Sequence, residues 1–326
     1  MELKEQRFGM ELEMTGLSRR QAAQILADYF GTEYTHDGGY YDKCSVPDAA
    51  GRRWTLMYDS SIHTQGGGRE YAVELVTPIC QYADIATIQE LVRRLRAAGA
   101  ISDQTHMCGI HIHVDASPFD AHTLRNLTNI MYAKEDLIYK ALQVDVRREL
   151  HYCRKVEEDF LQELNRKKPA SLTEVERIWY GGTSRSDQHY DSSRYHCLNL
   201  HSVFQKGTVE FRLFNGTMHA GKIRAYLSLA LAITAQALNQ KSASRRKTQS
   251  NNEKYTFRTW LLRLGMIGEE FANPRKHLLE HLEGNIAWKD PAQVERQRER
   301  NRQQMQTEAT IETGAEEHRS GFSMSL

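Results

Sequence analysis

Three stretches of this 326-residue chain alternate apolar residues with charged or imidazole side chains, and this alternation restricts the fold more than any other feature. They are residues 8–14, 109–115 and 208–214. Successive side chains of a β-strand point to opposite faces, so the sequence predicts strands over 7–14, 109–115 and 208–214, each with one face in the core. The opposite face of each strand then carries the polar side chains, as in an antiparallel sheet covered on one side.

The first stretch places two acids on one side of its strand. Glu11 and Glu13 share a face, and the rise per residue of a strand sets them about 6 to 7 Å apart. Two like charges at that separation repel each other unless the face is well hydrated or a cation lies between them. The pair therefore indicates either a cation site or a solvent-exposed face with two ordinary glutamates.

The second and third stretches repeat this arrangement with other side chains. His111 and His113 share a face, where both can ligate a metal, or one can ligate it while the other contacts an anionic substrate group. Glu210 and Arg212 also share a face, and a carboxylate for a cation beside a guanidinium for a phosphate suits phosphoryl transfer. Taken singly, each pair has a plainer alternative: histidines on a polar face, and a same-face ion pair.

A fourth predicted strand adds an acid in apolar surroundings. Glu74 lies in the sequence Ala-Val-Glu-Leu-Val at residues 72–76, where an unpaired charge would be costly to bury. Four strands thus offer acids, imidazoles and an arginine toward one face, which favours one shared site over four unrelated features.

Helical spacing of apolar residues predicts the elements between these strands. It indicates a helix over 19–30 with Ser18 as N-cap, and a second helix that begins after a possible N-cap at Asp84. Two further helices are indicated over 124–142 and over 223–238. No internal repeat is present.

Two pairs of neighbouring strands are also predicted. Arg53 to Tyr58 and Tyr71 to Val76 flank a glycine-rich loop, and His196 to Phe204 and Thr208 to Phe214 flank a turn at residues 206–207. Strands and helices at irregular spacing, with polar residues on one side of several strands, predict an α+β fold with an antiparallel sheet.

Composition excludes several classes of protein. The chain is 40% hydrophobic and 26% charged with a net charge of +1, so its charge predicts neither nucleic acid nor an anionic membrane as the main partner. It has no signal-peptide pattern, no apolar run that could cross a bilayer and no C-x-x-C pair among its 5 cysteines, which favours the cytoplasm. Few apolar residues follow Pro291, which predicts a folded domain over 1–290 and a charged, disordered tail over 291–326.

The order of the motifs resembles that of a known enzyme family. E-L-E at residues 11–13 is followed by E-L-V-T-P at 74–78, G-I-H-I-H at 109–113 and E-F-R at 210–212. This order is similar to that of the amidoligases in the glutamine synthetase and γ-glutamylcysteine ligase superfamily.

The resemblance implies a glutamine-synthetase-like curved antiparallel sheet with flanking helices, whose concave face binds ATP and two or three Mg²⁺ ions, with Mn²⁺ as an alternative. By position, His113 would approach the nucleotide phosphates and Arg212 would stabilise the transferred γ-phosphoryl group. The implied metal ligands are Glu11, Glu13, Glu74, His111 and Glu210.

The implied reaction is amide formation between a carboxylate and an amine, supplied as small molecules or peptides, through an acyl phosphate. Asp59 would receive the amine, although a turn-capping role is an equal alternative. Arg194, Tyr195 and Asn199 lie in a segment that resembles a substrate-binding segment of the family, with Arg194 for an anionic group. Asn199 has the alternative of bonding buried backbone.

Two other functions remain open at this stage. A single-metal hydrolase or cupin-like enzyme would use the H-x-H pair, but it leaves Glu11, Glu13 and Arg212 without a role. A non-catalytic scaffold on the same fold has no support from the sequence. The acid, the amine and the oligomeric state are not specified by any motif.

Overall fold

The computed structural model describes residues 1–287 and, beyond them, residues 293, 295–297 and 299–303. The predicted domain boundary at 290 therefore falls outside the described residues. So does most of the predicted tail, whose described residues between 293 and 303 are helical and exposed.

The chain divides into two compact units. One consists of Met1–Thr248 and Trp260–His281, the other of Gln249–Thr259 and the described residues from Leu282 onward. All residues of the candidate site belong to the first unit.

The described residues form one open sheet of eight strands, in which every pair of neighbours is antiparallel. In chain order the strands are β1 (Phe8–Met14), β2 (Thr35–Gly38), β3 (Lys43–Pro47), β4 (Arg53–Tyr58), β5 (Val73–Val76), β6 (Gly109–Asp115), β7 (Leu198–Asn199) and β8 (Thr208–Asn215). Their spatial order is β2-β3-β4-β5-β1-β6-β8-β7. The predicted mixed architecture with an antiparallel sheet is confirmed.

The alternation in the sequence is the physical basis of the central strands. Met10 and Leu12 of β1 and Ile110 and Ile112 of β6 are almost fully buried in the hydrophobic core. Burying such side chains stabilises the fold by roughly 1.5 to 3 kcal/mol each. The polar residues between them are left on the opposite face.

The described residues 1–287 also form ten α-helices. In chain order they are α1 (Arg19–Phe30), α2 (Ile85–Ala97), α3 (Ala121–Leu142), α4 (Val146–His151), α5 (Glu158–Lys167), α6 (Leu172–Trp179), α7 (His201–Lys206), α8 (Ala220–Asn239), α9 (Glu253–Arg263) and α10 (Ala272–Leu279). Helix α8 is buried along most of its length and packs against α2, α3 and α10. None of the described helices is both long and apolar enough to cross a membrane.

The strand predicted over His196 to Phe204 is wrong in most of its length. Only Leu198–Asn199 pairs as a strand, and His201–Lys206 is a helix that ends at Gly207 with a φ of 69°. A glycine in the left-handed conformation is a common helix end, and the short apolar run before it did not distinguish a helix from a strand.

Two smaller expectations need correction. Strands β2 and β3 were not predicted. Strand β2 is polar and exposed at the sheet edge, where burial leaves no periodic signal, and β3 has three consecutive buried residues and therefore no alternation. Asp84 occupies the N-cap position of α2, but its side chain does not cap the helix. Its carboxylate instead accepts a hydrogen bond from the Gln81 N–H, which precedes the helix, and forms an ion pair with Arg52.

Candidate active site

The register of the sheet brings the predicted polar residues together on its open face. Neighbouring strands set them opposite one another in three pairs, namely Glu13 with Glu74, Glu11 with His111, and His113 with Glu210. Directly opposed residues have Cβ atoms about 5 Å apart, within reach of a shared ion.

One group of these residues is tied together by hydrogen bonds and ion pairs. Glu11, His111 and Glu210, here called the paired triad, have ligand atoms within 4.8 Å of one another. His111 Nδ1 lies 3.0 Å from Glu11 Oε2, and Arg212 Nη1 lies 2.5 Å from Glu210 Oε1. His113 Nε2 lies 3.1 Å from Glu11 Oε1.

A second group has the same ligand spacing but few partners. Glu13, Glu74 and His111, here called the unpaired triad, also have ligand atoms within 4.8 Å of one another. The Gly109 N–H donates to Glu13 Oε2 at 2.5 Å. No described residue donates a hydrogen bond to the Glu74 carboxylate. His111 belongs to both triads, so the two groups are adjacent.

Electrostatics keeps the acids of the paired triad ionised. Burial acts to raise the pKa of Glu11, but His113 and His111 outweigh it and hold that pKa well below its usual range. Burial acts in the same way on Glu210, but Arg212 and then His113 lower its pKa to about 2. These carboxylates are charged at neutral pH because protein cations face them.

The unpaired triad shows the opposite behaviour. Burial and the charge of Asp59 raise the pKa of Glu13 to about 7, although Arg148 acts in the other direction. Burial and then the carboxylate of Glu11 raise the pKa of Glu74 well above its usual range. Burial, helped by the positive charge of Arg212, lowers the pKa of His111 to about 4, so its imidazole is a neutral ligand.

Two pockets reach this cluster, and Glu11 lies in the wall of both. The first, here called the Asp59 pocket, has a volume of about 160 Å³. Its charged and aromatic lining is Glu11, Glu13, Asp59, Glu74, His111, Arg148, Tyr152, Tyr190, Arg194, Tyr195 and Arg212.

The second pocket, here called the Lys206 pocket, has a volume of about 340 Å³. Its polar lining includes Glu11, His113 and Lys206, and the Lys206 Nζ atom lies 3.8 Å from Glu11 Oε1. Apolar side chains form much of the remaining wall, among them Pro78 and the exposed Ile79.

The residues predicted outside the metal cluster have different positions. Asp59, Arg194 and Tyr195 line the Asp59 pocket. Asp59 also accepts a hydrogen bond from the Ser61 N–H at 2.7 Å, so both of its predicted roles are compatible with its position. Asn199 is buried outside that lining and donates to Glu210 Oε2 at 2.6 Å, so it holds a carboxylate of the paired triad.

Among the cations of the site that sequence reasoning missed are Lys206 and Arg148. Lys206 was assigned to a turn, and only its position directly before the glycine that ends α7 marks it. Arg148 lies in the short helix α4, within a charged stretch that has no alternating pattern. No local sequence signal distinguishes it from the exposed Arg147.

Comparison with known proteins adds the family. A family model described as "Putative amidoligase enzyme" matches residues 4–234. The chain belongs to this family. The match covers more than two thirds of the sequence and includes every residue of both pockets. Membership in an amidoligase family supports a ligase function. No curated protein sequence gives a match.

Proposed function

We propose that the protein is an ATP- and Mg²⁺-dependent ligase that joins a carboxylate to an amine through an acyl phosphate. This finer assignment follows the resemblance to the glutamine synthetase and γ-glutamylcysteine ligase superfamily. The observation that carries it is the pair of adjacent triads between two pockets. Phosphoryl transfer requires a nucleotide and an acceptor to meet where bound cations supply positive charge. Glu11, a proposed ligand of such a cation, lies in the wall of both pockets.

The side chains of the two triads fit Mg²⁺. The raised pKa values of the buried Glu13 and Glu74 carboxylates mean that the neighbouring cations do not fully balance them, so a further positive charge is needed for both to be ionised together. Four carboxylates and one imidazole make an oxygen-rich set, which suits Mg²⁺ or Mn²⁺ better than zinc. Each triad would hold one ion, with Glu11, His111 and Glu210 at one and Glu13 and Glu74 at the other. When bound, these ions offset the negative charge of the transferred phosphoryl group.

The Lys206 pocket suits the nucleotide. His113 and Lys206 offer positive charge or N–H donors to phosphate oxygens, and the raised pKa of His113 favours its charged form, because Glu11 and Glu210 outweigh the effect of burial. Pro78 and Ile79 provide an apolar surface for a flat base. Arg212 lies on the other side of the cluster, in the Asp59 pocket, where it can bind the phosphoryl group as that group moves toward the acid.

The Asp59 pocket suits the acid and the amine. Arg194 can bind an anionic group of the acid, and Tyr195 packs beside it. An amine reaches the pocket as an ammonium ion, so it must lose a proton before its nitrogen attacks the acyl carbon and phosphate leaves. The Asp59 carboxylate is placed to bind the ammonium and accept that proton.

Nucleotide turnover tests this function. With Mg²⁺, ATP and pools of amino acids and polyamines, the wild type should form ADP and phosphate. Glu13→Ala and Glu210→Ala should lose both the turnover and the thermal stabilisation by Mg-ATP. Glu163→Ala, at an exposed ion pair of α5, is the matched control.

Two results would remove the ligase assignment. One is no ADP in any pool together with unchanged Mg-ATP binding by the two site variants. The other is a single tightly held zinc or iron ion, which would instead support a hydrolase or cupin-like enzyme that uses the H-x-H pair.

A further inference from the structure

Three arginines are buried in the described part of the chain, and they differ in their counterions. Arg19 pairs with Asp42, and Arg212 pairs with Glu210. Arg148 is the most deeply buried of the three, with 2% of its surface exposed, yet no described carboxylate forms an ion pair with it. Its charge acts on Glu13, although no ion pair joins the two side chains. A guanidinium buried without a direct ion pair is costly, because burial removes its hydration.

The hydrogen bonds of Arg148 do not remove this charge. Its Nη1 donates to the Phe214 carbonyl at 2.6 Å, and its Nη2 donates to the Arg212 carbonyl at 3.1 Å. Both carbonyls belong to β8, beside the point where its register with β6 shifts. Arg148 therefore supports the strand that carries Arg212, but a neutral carbonyl does not neutralise a cation. A guanidinium has five N–H donors, so further donors remain for a ligand.

Arg148 also belongs to the candidate site. Its side chain lines the Asp59 pocket. A Cβ atom at Gly109 would lie 2.2 Å from Arg148 Nη2, so the absence of a side chain at this position of β6 makes room for the guanidinium. The same glycine donates its N–H to Glu13, which places Arg148 next to the unpaired triad.

We propose that Arg148 is an anion anchor that binds a carboxylate group of the acid substrate, so that the substrate supplies the missing counterion. The proposal rests on the proposed function in so far as the ligand is a substrate. A carboxylate is the expected ligand because Arg148 lines the Asp59 pocket and is absent from the Lys206 pocket, where the nucleotide phosphates would bind. The planar guanidinium matches a planar carboxylate with two parallel hydrogen bonds.

Malonate is a suitable probe, because it is a small carboxylate and its binding can be measured by calorimetry on the full chain with Mg²⁺ present. The wild type should bind malonate saturably at constant ionic strength. Arg148→Lys should bind it roughly 10- to 100-fold more weakly, the usual cost of losing hydrogen bonds to a charged group. Arg19→Lys is the matched control, since this equally buried arginine has its own carboxylate, and it should bind malonate like the wild type.

Several results would overturn the anchor. They are no malonate binding by the wild type, equal binding by Arg148→Lys, or binding of inorganic phosphate in place of malonate. If Arg148→Lys does not fold, a crystal of the wild type with malonate decides. A carboxylate on the Arg148 guanidinium supports the proposal, and malonate bound elsewhere or not at all contradicts it.

The ATP assay separates this inference from the proposed function. Malonate binding at Arg148 without any ADP formation would leave the anchor standing and remove the ligase. ADP formation with an unchanged KM for the acid in Arg148→Lys would leave the ligase standing and remove the anchor.

Discussion

The paired and unpaired triads share His111 and the same sheet face, but they differ in how their charge is balanced. In the paired triad, Arg212 and His113 face the carboxylates and lower their pKa values. In the unpaired triad, burial is the main cause of the raised pKa values of Glu13 and Glu74, and neighbouring acids add to it. Arg148 and Arg212 offset this only in part at Glu13. The protein therefore compensates one half of its site internally and leaves the other half dependent on protons or bound cations.

This difference separates two roles that identical side chains can have. The acids of the paired triad take part in holding the fold, because each is the counterion of a buried cation. The acids of the unpaired triad weaken the metal-free fold when they ionise. Such opposition between function and stability is common at active sites.

The largest expected effect is on the paired triad. Glu210→Gln should destabilise the metal-free protein by about 3 to 5 kcal/mol at about pH 8, because Arg212 is left buried without its partner. The wild-type contribution is present above the unfolded pKa of 4.5 and is lost as pH falls toward the folded value of about 2. Urea unfolding measures it. A loss below about 1 kcal/mol would show that the ion pair has no structural role.

The matched change in the unpaired triad should have the opposite sign. A pKa raised from 4.5 to about 7 means that ionised Glu13 costs stability as pH rises through this range. Glu13→Gln should therefore stabilise the metal-free protein by about 3 kcal/mol at about pH 8 and change little at about pH 4. The Gly109 hydrogen bond can be kept by the amide oxygen. Urea unfolding at the two pH values tests this, and destabilisation at the higher pH would contradict the comparison.

A smaller effect concerns Mg²⁺ and protons, which should compete for the unpaired triad. Mg²⁺ affinity should rise with pH, by up to about tenfold per pH unit for each acid that must lose a proton, and should level off only when both Glu13 and Glu74 are ionised. Calorimetry in buffers of different ionisation enthalpy also measures the protons released. A flat pH profile would mean that the ion binds only at the paired triad.

The smallest expected effect comes from Asp59, whose negative charge raises the pKa of both acids of the unpaired triad. Asp59→Asn should lower those pKa values, so that Mg²⁺ binds about two- to fivefold more tightly at about pH 6 and equally well at about pH 9. Asp59→Glu, which keeps the charge, is the control and should resemble the wild type in the same calorimetric titration.

The sequence predicted the residues of both triads but not the difference between them. Alternation in β1 and β6 identifies which side chains face the site, because a strand has a fixed period of two. The ionisation of those side chains depends on contacts between distant segments, such as Glu13 with Gly109 and Asp59. Arg148 lay beyond prediction for the same reason, since its burial results from how α4 meets the glycine of β6.

The edge of the sheet was also less predictable than its centre. The core strands β1 and β6 were placed correctly to within one residue, because one face of each is buried. The exposed β2 and the helix α7 carry no comparable hydrophobic period. The conformation of β2 is decided by strand pairing, and that of α7 by the glycine that ends the helix.

The position of Glu11 in the walls of two pockets has a consequence for kinetics. Under the proposed function, the nucleotide and the acid would occupy two different pockets that share Glu11 as a wall residue. Neither ligand has to bind first to open a route for the other. Initial rates with ATP and the acid varied together should therefore follow random addition, and ADP should leave without waiting for the amide.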